Sequence, residues 1–187
     1  MNRSLILCLA TLGALVGVDA SAGVKKANFK TESNLPVYRT GTPLVYSAAG
    51  VAVGDAAELT AANLTSNEDG WGGGQVDVNL AKNGSLTLVS NDQWDFQTFN
   101  VTISNLKMAT NESVCGVNFL GGELTQNGVQ PTMTFTDNSV QIAYTAADVV
   151  AGGEFNFAGG GAQANFQVVL CSPAMELKRA PQAGVNR

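Results

Sequence analysis

Apolar and polar residues alternate with a period of two along much of this chain, most clearly from Gln75 onward. Val76, Val78 and Leu80 share one face, Lys82-Asn83-Gly84 forms a turn, and Leu86 and Leu88 resume the alternation, a pattern that predicts a β-hairpin. Between Phe96 and Ser104 the set Gln97, Phe99, Val101 and Ile103 alternates with Phe96, Thr98, Asn100, Thr102 and Ser104. The first set is mostly apolar, so it is expected to face the core. Further strands are predicted at Ser113 to Phe119, Thr132 to Thr136, Val140 to Tyr144, Glu154 to Phe157 and Ala164 to Leu170, with Asp137-Asn138 as a hairpin turn. About 8–10 short strands at this spacing predict an all-β fold, an antiparallel β-sandwich of jelly-roll or immunoglobulin-like type.

The pattern is weaker toward the N-terminus. From Val24 to Ser47 it alternates loosely and is broken by Pro36 and Pro43, leaving Val37-Tyr38 and Leu44-Val45-Tyr46 as short edge-strand candidates. Asp55 to Ala62 fits a short helix capped by Asp55 as well as it fits a loop. Beyond Ser172-Pro173 the strand period is lost, and residues 173–187 are expected to form a mobile tail.

The first residues add compartment to this picture. Arg3 precedes an uncharged run from Leu5 to Val18, followed by Ala20-Ser21-Ala22-Gly23, the basic, apolar and small-residue order of a secretory signal. The run is shorter than the ~20 residues that span a bilayer as a helix. The expectation is therefore a signal peptide over 1–22, a single domain over 23–172, no membrane span in the mature chain, and a secreted, periplasmic or cell-surface location. Removal of the signal takes Cys8 with it and leaves Cys115 and Cys171, which are expected to pair in an oxidising compartment. By chain entropy the loop they close stabilises the fold by about 4 kcal/mol.

Composition narrows the chemistry. The chain has no histidine, which excludes Ser-His-Asp and Cys-His catalysis and His-bearing zinc sites. Between Thr31 and Met175 three basic residues face thirteen carboxylates, whereas Lys25, Lys26 and Lys30 open the mature chain and Lys178, Arg179 and Arg187 close it. An acidic body of this kind does not fit a nucleic-acid binder. Basic ends on an acidic body are explained by solubility, or by docking of one end on a neighbour.

Two loops carry candidate chemistry. Asn67, Asp69 and Asp77 gather oxygen ligands around a glycine run that also holds Trp71, an arrangement in which calcium could be bound. The EF-hand pattern fails at both ends, and a glycine-rich surface turn accounts for the same residues. Trp94, between Asp92 and Asp95, would stack on a sugar or peptide if exposed, and would seal the end of the sandwich if buried. The Asn-x-Ser/Thr matches at Asn63, Asn83, Asn100 and Asn111 reflect how common Asn and Thr are here. In strand spacing, Phe96 through Phe166 resembles the sandwich domains of secreted bacterial surface proteins and of chaperone-assembled pilus subunits. Its late cysteines depart from the pilus pattern, and no residue roles carry over.

The expected function is a non-enzymatic, exported structural or adhesive protein that self-associates or docks on another surface protein, without a cofactor. The alternative is a calcium-assisted carbohydrate- or ligand-binding module using Trp71 and Trp94.

Overall fold

The computed structural model describes residues 23–34, 43–67 and 75–172. Among these the chain forms twelve strands and no α-helix: β1 (Val24–Asn34), β2 (Leu44–Ala52), β3 (Leu64–Ser66), β4 (Val76–Leu80), β5 (Ser85–Ser90), β6 (Asp95–Phe96), β7 (Thr98–Met108), β8 (Ser113–Gly122), β9 (Thr132–Thr136), β10 (Ser139–Thr145), β11 (Phe155–Asn156) and β12 (Ala162–Cys171). A six-stranded sheet runs β3-β2-β1-β7-β10-β9 and a four-stranded sheet runs β4-β5-β12-β8, with β11-β6 as a short ribbon. All pairings are antiparallel. The two sheets pack on each other around one apolar core, so the fold is sandwich-like and all-β, as the alternation predicts.

The predicted hairpins form with the predicted faces inward. In β4 and β5 the core positions are Val76, Val78, Leu80, Leu86 and Leu88. Gly84 closes their turn at φ +85°, close against β12: a Cβ there would lie 2.2 Å from the Val168 carbonyl oxygen. Phe99, Val101 and Ile103 are buried along β7, and Asp137-Asn138 links β9 to β10.

Several expectations are corrected. Residues 24–34 form one long strand in the interior of the six-stranded sheet, and Leu44 begins a nine-residue strand that is not at the edge. The strand β1 is hard to read because three of its five buried positions, Ala27, Thr31 and Ser33 beside Val24 and Phe29, are small or polar. Its pairing is also irregular: two residues of β7, Asn105 and Leu106, fall between the Asn28–Ser104 and Lys26–Lys107 partners, where β1 has only Ala27. This bulge reverses the parity of β7 and buries Leu106 as well as Ile103.

No α-helix forms over 55–62. A single 3₁₀ turn, Ala61–Asn63, follows a loop in which the backbone of Glu58 and Leu59 bonds to Val78 of β4. Tertiary pairing with an open strand outweighs the modest helix propensity of a short Ala-rich segment. Phe96 is buried although its parity places it outside, because it belongs to β6, and a bend at Gln97 separates it from β7. Val37-Tyr38, the signal segment 1–22 and the tail 173–187 lie outside the described residues.

Cys115 and Cys171 form a disulfide with a Cα–Cα distance of 5.8 Å. It joins neighbouring strands of one sheet, β8 and β12. The register between these strands shifts where Val169 faces Gly116 and Leu170 faces Val114, so Cys115 is the extra residue of a bulge.

Candidate functional site

With both sheets assigned, the surfaces able to accept a partner are their edges, where N–H and C=O groups lack a neighbouring strand. The edge at β4 is closed from within the chain. Glu58 N–H donates to the Val78 carbonyl at 2.9 Å, and Leu59 and Val78 form an antiparallel bridge. The Glu58 carboxylate, only 6% exposed, accepts N–H bonds from Leu80 at 2.8 Å and Gly54 at 3.0 Å. Burial raises its pKa above the ordinary carboxylate value, while those backbone donors pull the other way. The opposite edge of the larger sheet is β3, three residues long.

The other two edges, β8 and β9, lie side by side. Val114 N–H donates to the Asp137 carbonyl at 2.9 Å, tying the start of β8 to the β9–β10 turn. Neither strand contains a charged residue: β8 reads Ser-Val-Cys-Gly-Val-Asn-Phe-Leu-Gly-Gly and β9 reads Thr-Met-Thr-Phe-Thr. The edge at β8 is irregular, with two register shifts against β12, and at one of these Leu120 is 63% exposed. The edge at β9 has regular register against β10, its one partner among the described residues, and carries Phe135 at 48% exposure. Met133 packs against the core, so this strand is anchored on one side and open on the other. An uncharged edge of three threonines, a methionine and a phenylalanine, with no lysine in it and Pro131 just before it, is suited to accepting a strand along Thr132–Thr136.

The residues singled out by sequence are dispersed. Trp94 is half-buried and packs against the core beside a ring cluster in which Phe157 lies 5.0 Å from Phe96 and 4.9 Å from Phe99. Its carbonyl accepts the Phe157 N–H at 3.3 Å, and the Gln93 side chain donates to the Ala158 carbonyl at 2.9 Å. The Trp94 loop is thereby joined to the β11 segment at the end of the sandwich. Asp77 lies on β4 and accepts from the Gln75 amide at 2.8 Å, whereas Asn67 follows β3 of the other sheet. Asp69 and Trp71 lie outside the described residues. Among the described residues no group of three or more carboxylate or cysteine side chains is placed to hold a metal ion.

The edge residues Phe135 and Leu120 are not evident from the sequence. Phe135 shares its parity with Met133 and so reads as a core residue; only the position of β9 at the end of the sheet exposes it. No protein-family model matches the chain, and no curated protein and no solved structure matches it either.

Proposed function

We propose that this chain is an exported, non-enzymatic structural or adhesive component of the cell exterior that assembles by adding a strand to the β9 edge, from a second copy or from another surface protein. The observation that carries this reading is the open, uncharged Thr132–Thr136 edge with Phe135 exposed on it. The disulfide is consistent with an oxidising compartment. The absence of histidine from the sequence and the leader-like order of residues 1–22 support a role other than general-base catalysis in the cytosol.

The test is the molar mass of the mature protein by light scattering over a concentration range, in calcium and in chelator, for the wild type and Phe135→Lys. Growth of mass with concentration in the wild type, and its loss in Phe135→Lys at an unchanged melting temperature, is the expected result. A constant monomer that instead gains thermal stability with calcium would replace this reading with the calcium-assisted ligand-binding one.

A further inference from the structure

Gly23 is held more tightly than a free chain end requires. It is buried, its N–H donates to Glu112 Oε2 at 3.0 Å, and its carbonyl accepts from Ala109 N–H at 2.8 Å. The next residue, Val24, donates to the Lys82 carbonyl at 2.9 Å. Glu112 and Ala109 belong to the β7–β8 connection and Lys82 to the β4–β5 turn, so this short segment is clasped between elements of both sheets. The backbone of Gly23 has φ +131°, and a Cβ would lie 2.2 Å from the Lys82 carbonyl oxygen. Only glycine fits such a position. Gly23 and Glu112 also line an open cavity of about 370 Å³ together with Asn83, Gln167 and Val168.

The same residue follows the small-residue pair Ala20 and Ala22. We propose that Gly23 is a processing site whose product is structural: hydrolysis of the Ala22–Gly23 bond leaves an α-ammonium that forms an ion pair with Glu112 and fastens the start of β1 to the β7–β8 connection, beside the β4–β5 turn. In that step an endopeptidase of the export machinery adds water across the amide. The C–N bond breaks, oxygen from water stays on the new Ala22 carboxylate, and the freed nitrogen is protonated at neutral pH. A bond charged only at its acceptor thereby gains a charged donor and becomes an ion pair. The proposal rests on the export reading of residues 1–22.

Glu112 is the carboxylate facing this nitrogen. Lys82 on the adjoining turn, Lys25 and Lys26 at the start of β1, and Lys107 at the end of β7 are exposed. A carboxylate partner raises the pKa of an amine, so the pair contributes stability that is fully present below the unfolded amine value of ~7.7–8.0 and is lost as pH rises through the higher folded value. Few other described groups compete in this window: the sequence has no histidine, Cys115 and Cys171 are bridged, and burial pushes Tyr46 and Tyr144 upward.

The test uses protein exported and purified from its full-length precursor. Its intact mass should be that of residues 23–187 with one disulfide. In the same material the Gly23 ¹³Cα resonance should titrate above the ordinary α-amino range of ~7.7–8.0, and Glu112→Gln should return it to that range. Acetylating the Gly23 amine should abolish the alkaline fall in melting temperature, an arm that does not depend on the variant folding well. If the chain begins elsewhere, the leader reading fails and the proposal with it. If it begins at Gly23 but the amine titrates in the ordinary range, or is indifferent to Glu112→Gln, the ion pair is wrong and the leader reading stands.

Discussion

Glu58 occupies the interior because the backbone around it supplies donors. Its two carboxylate oxygens take the N–H groups of Leu80 and Gly54, and its own N–H closes onto Val78, so a single residue binds the β2–β3 connection to β4. Glu58→Ala leaves two part-buried or buried donors without partners and is expected to cost about 2 kcal/mol or more, measured by urea denaturation at neutral pH. The dependence on pH follows from the raised pKa. A folded value above the unfolded one means that the group's favourable contribution is complete below the unfolded value, ~4.3, and declines as pH rises through the folded value. The stability gap between wild type and Glu58→Ala should therefore widen as pH falls from neutrality toward four. A gap that narrows on acidification would show that the backbone donors, and not burial, dominate this carboxylate. The sequence shows Glu58 only as one acidic residue in an Ala-rich stretch, since nothing local reveals that β4 lies against it.

At the scale of elements, the disulfide and the bulges determine where strands end and which faces they show. The bridge joins β8 to β12 at the bulged Cys115, fixing the last strand to one from the middle of the chain. Replacing both cysteines with serine is expected to lower stability by about 4 kcal/mol, read as a lower denaturation midpoint with a steeper slope, since the denatured chain without the bridge exposes more surface. A loss below about 1 kcal/mol would mean that the unfolded chain without the bridge retains structure across this loop. Hairpins such as β4–β5 are legible in sequence because turn, alternation and pairing are all local. The strand β1 is not, since its partners β2 and β7 supply the burial that makes Thr31 and Ser33 acceptable inside. For the same reason, parity mis-assigns Phe96 and Leu106: a bend in one case and a bulge in the other resets the phase, and neither has a marker in the residues themselves.

At the scale of the molecule, both sheets and the apolar core between them are built, among the described residues, from residues 23–171. A chain ending at Ser172 is expected to keep the cooperative melt of the longer form. A marked fall in melting temperature on this truncation would assign the tail a place in the core. Terminal docking and edge docking also separate at this scale, because truncation at Ser172 acts on the first and Phe135→Lys on the second.

The sequence by itself determined the all-β class, the antiparallel hairpins, the inward faces of β4, β5 and most of β7, and the pairing of the cysteines. These depend on period-two alternation, on turn residues adjacent in the chain, and on there being only two cysteines beyond the leader-like segment. Tertiary structure alone decided that β1 lies in the interior of its sheet, that residues 55–62 close the β4 edge as a loop, that Trp94 packs against the aromatic end of the core, and that β9 is left at the rim with Phe135 exposed. Each of these depends on which strand lies next to which across long separations. That choice is made by the summed burial and pairing of the whole sheet, and no local stretch of residues contains it.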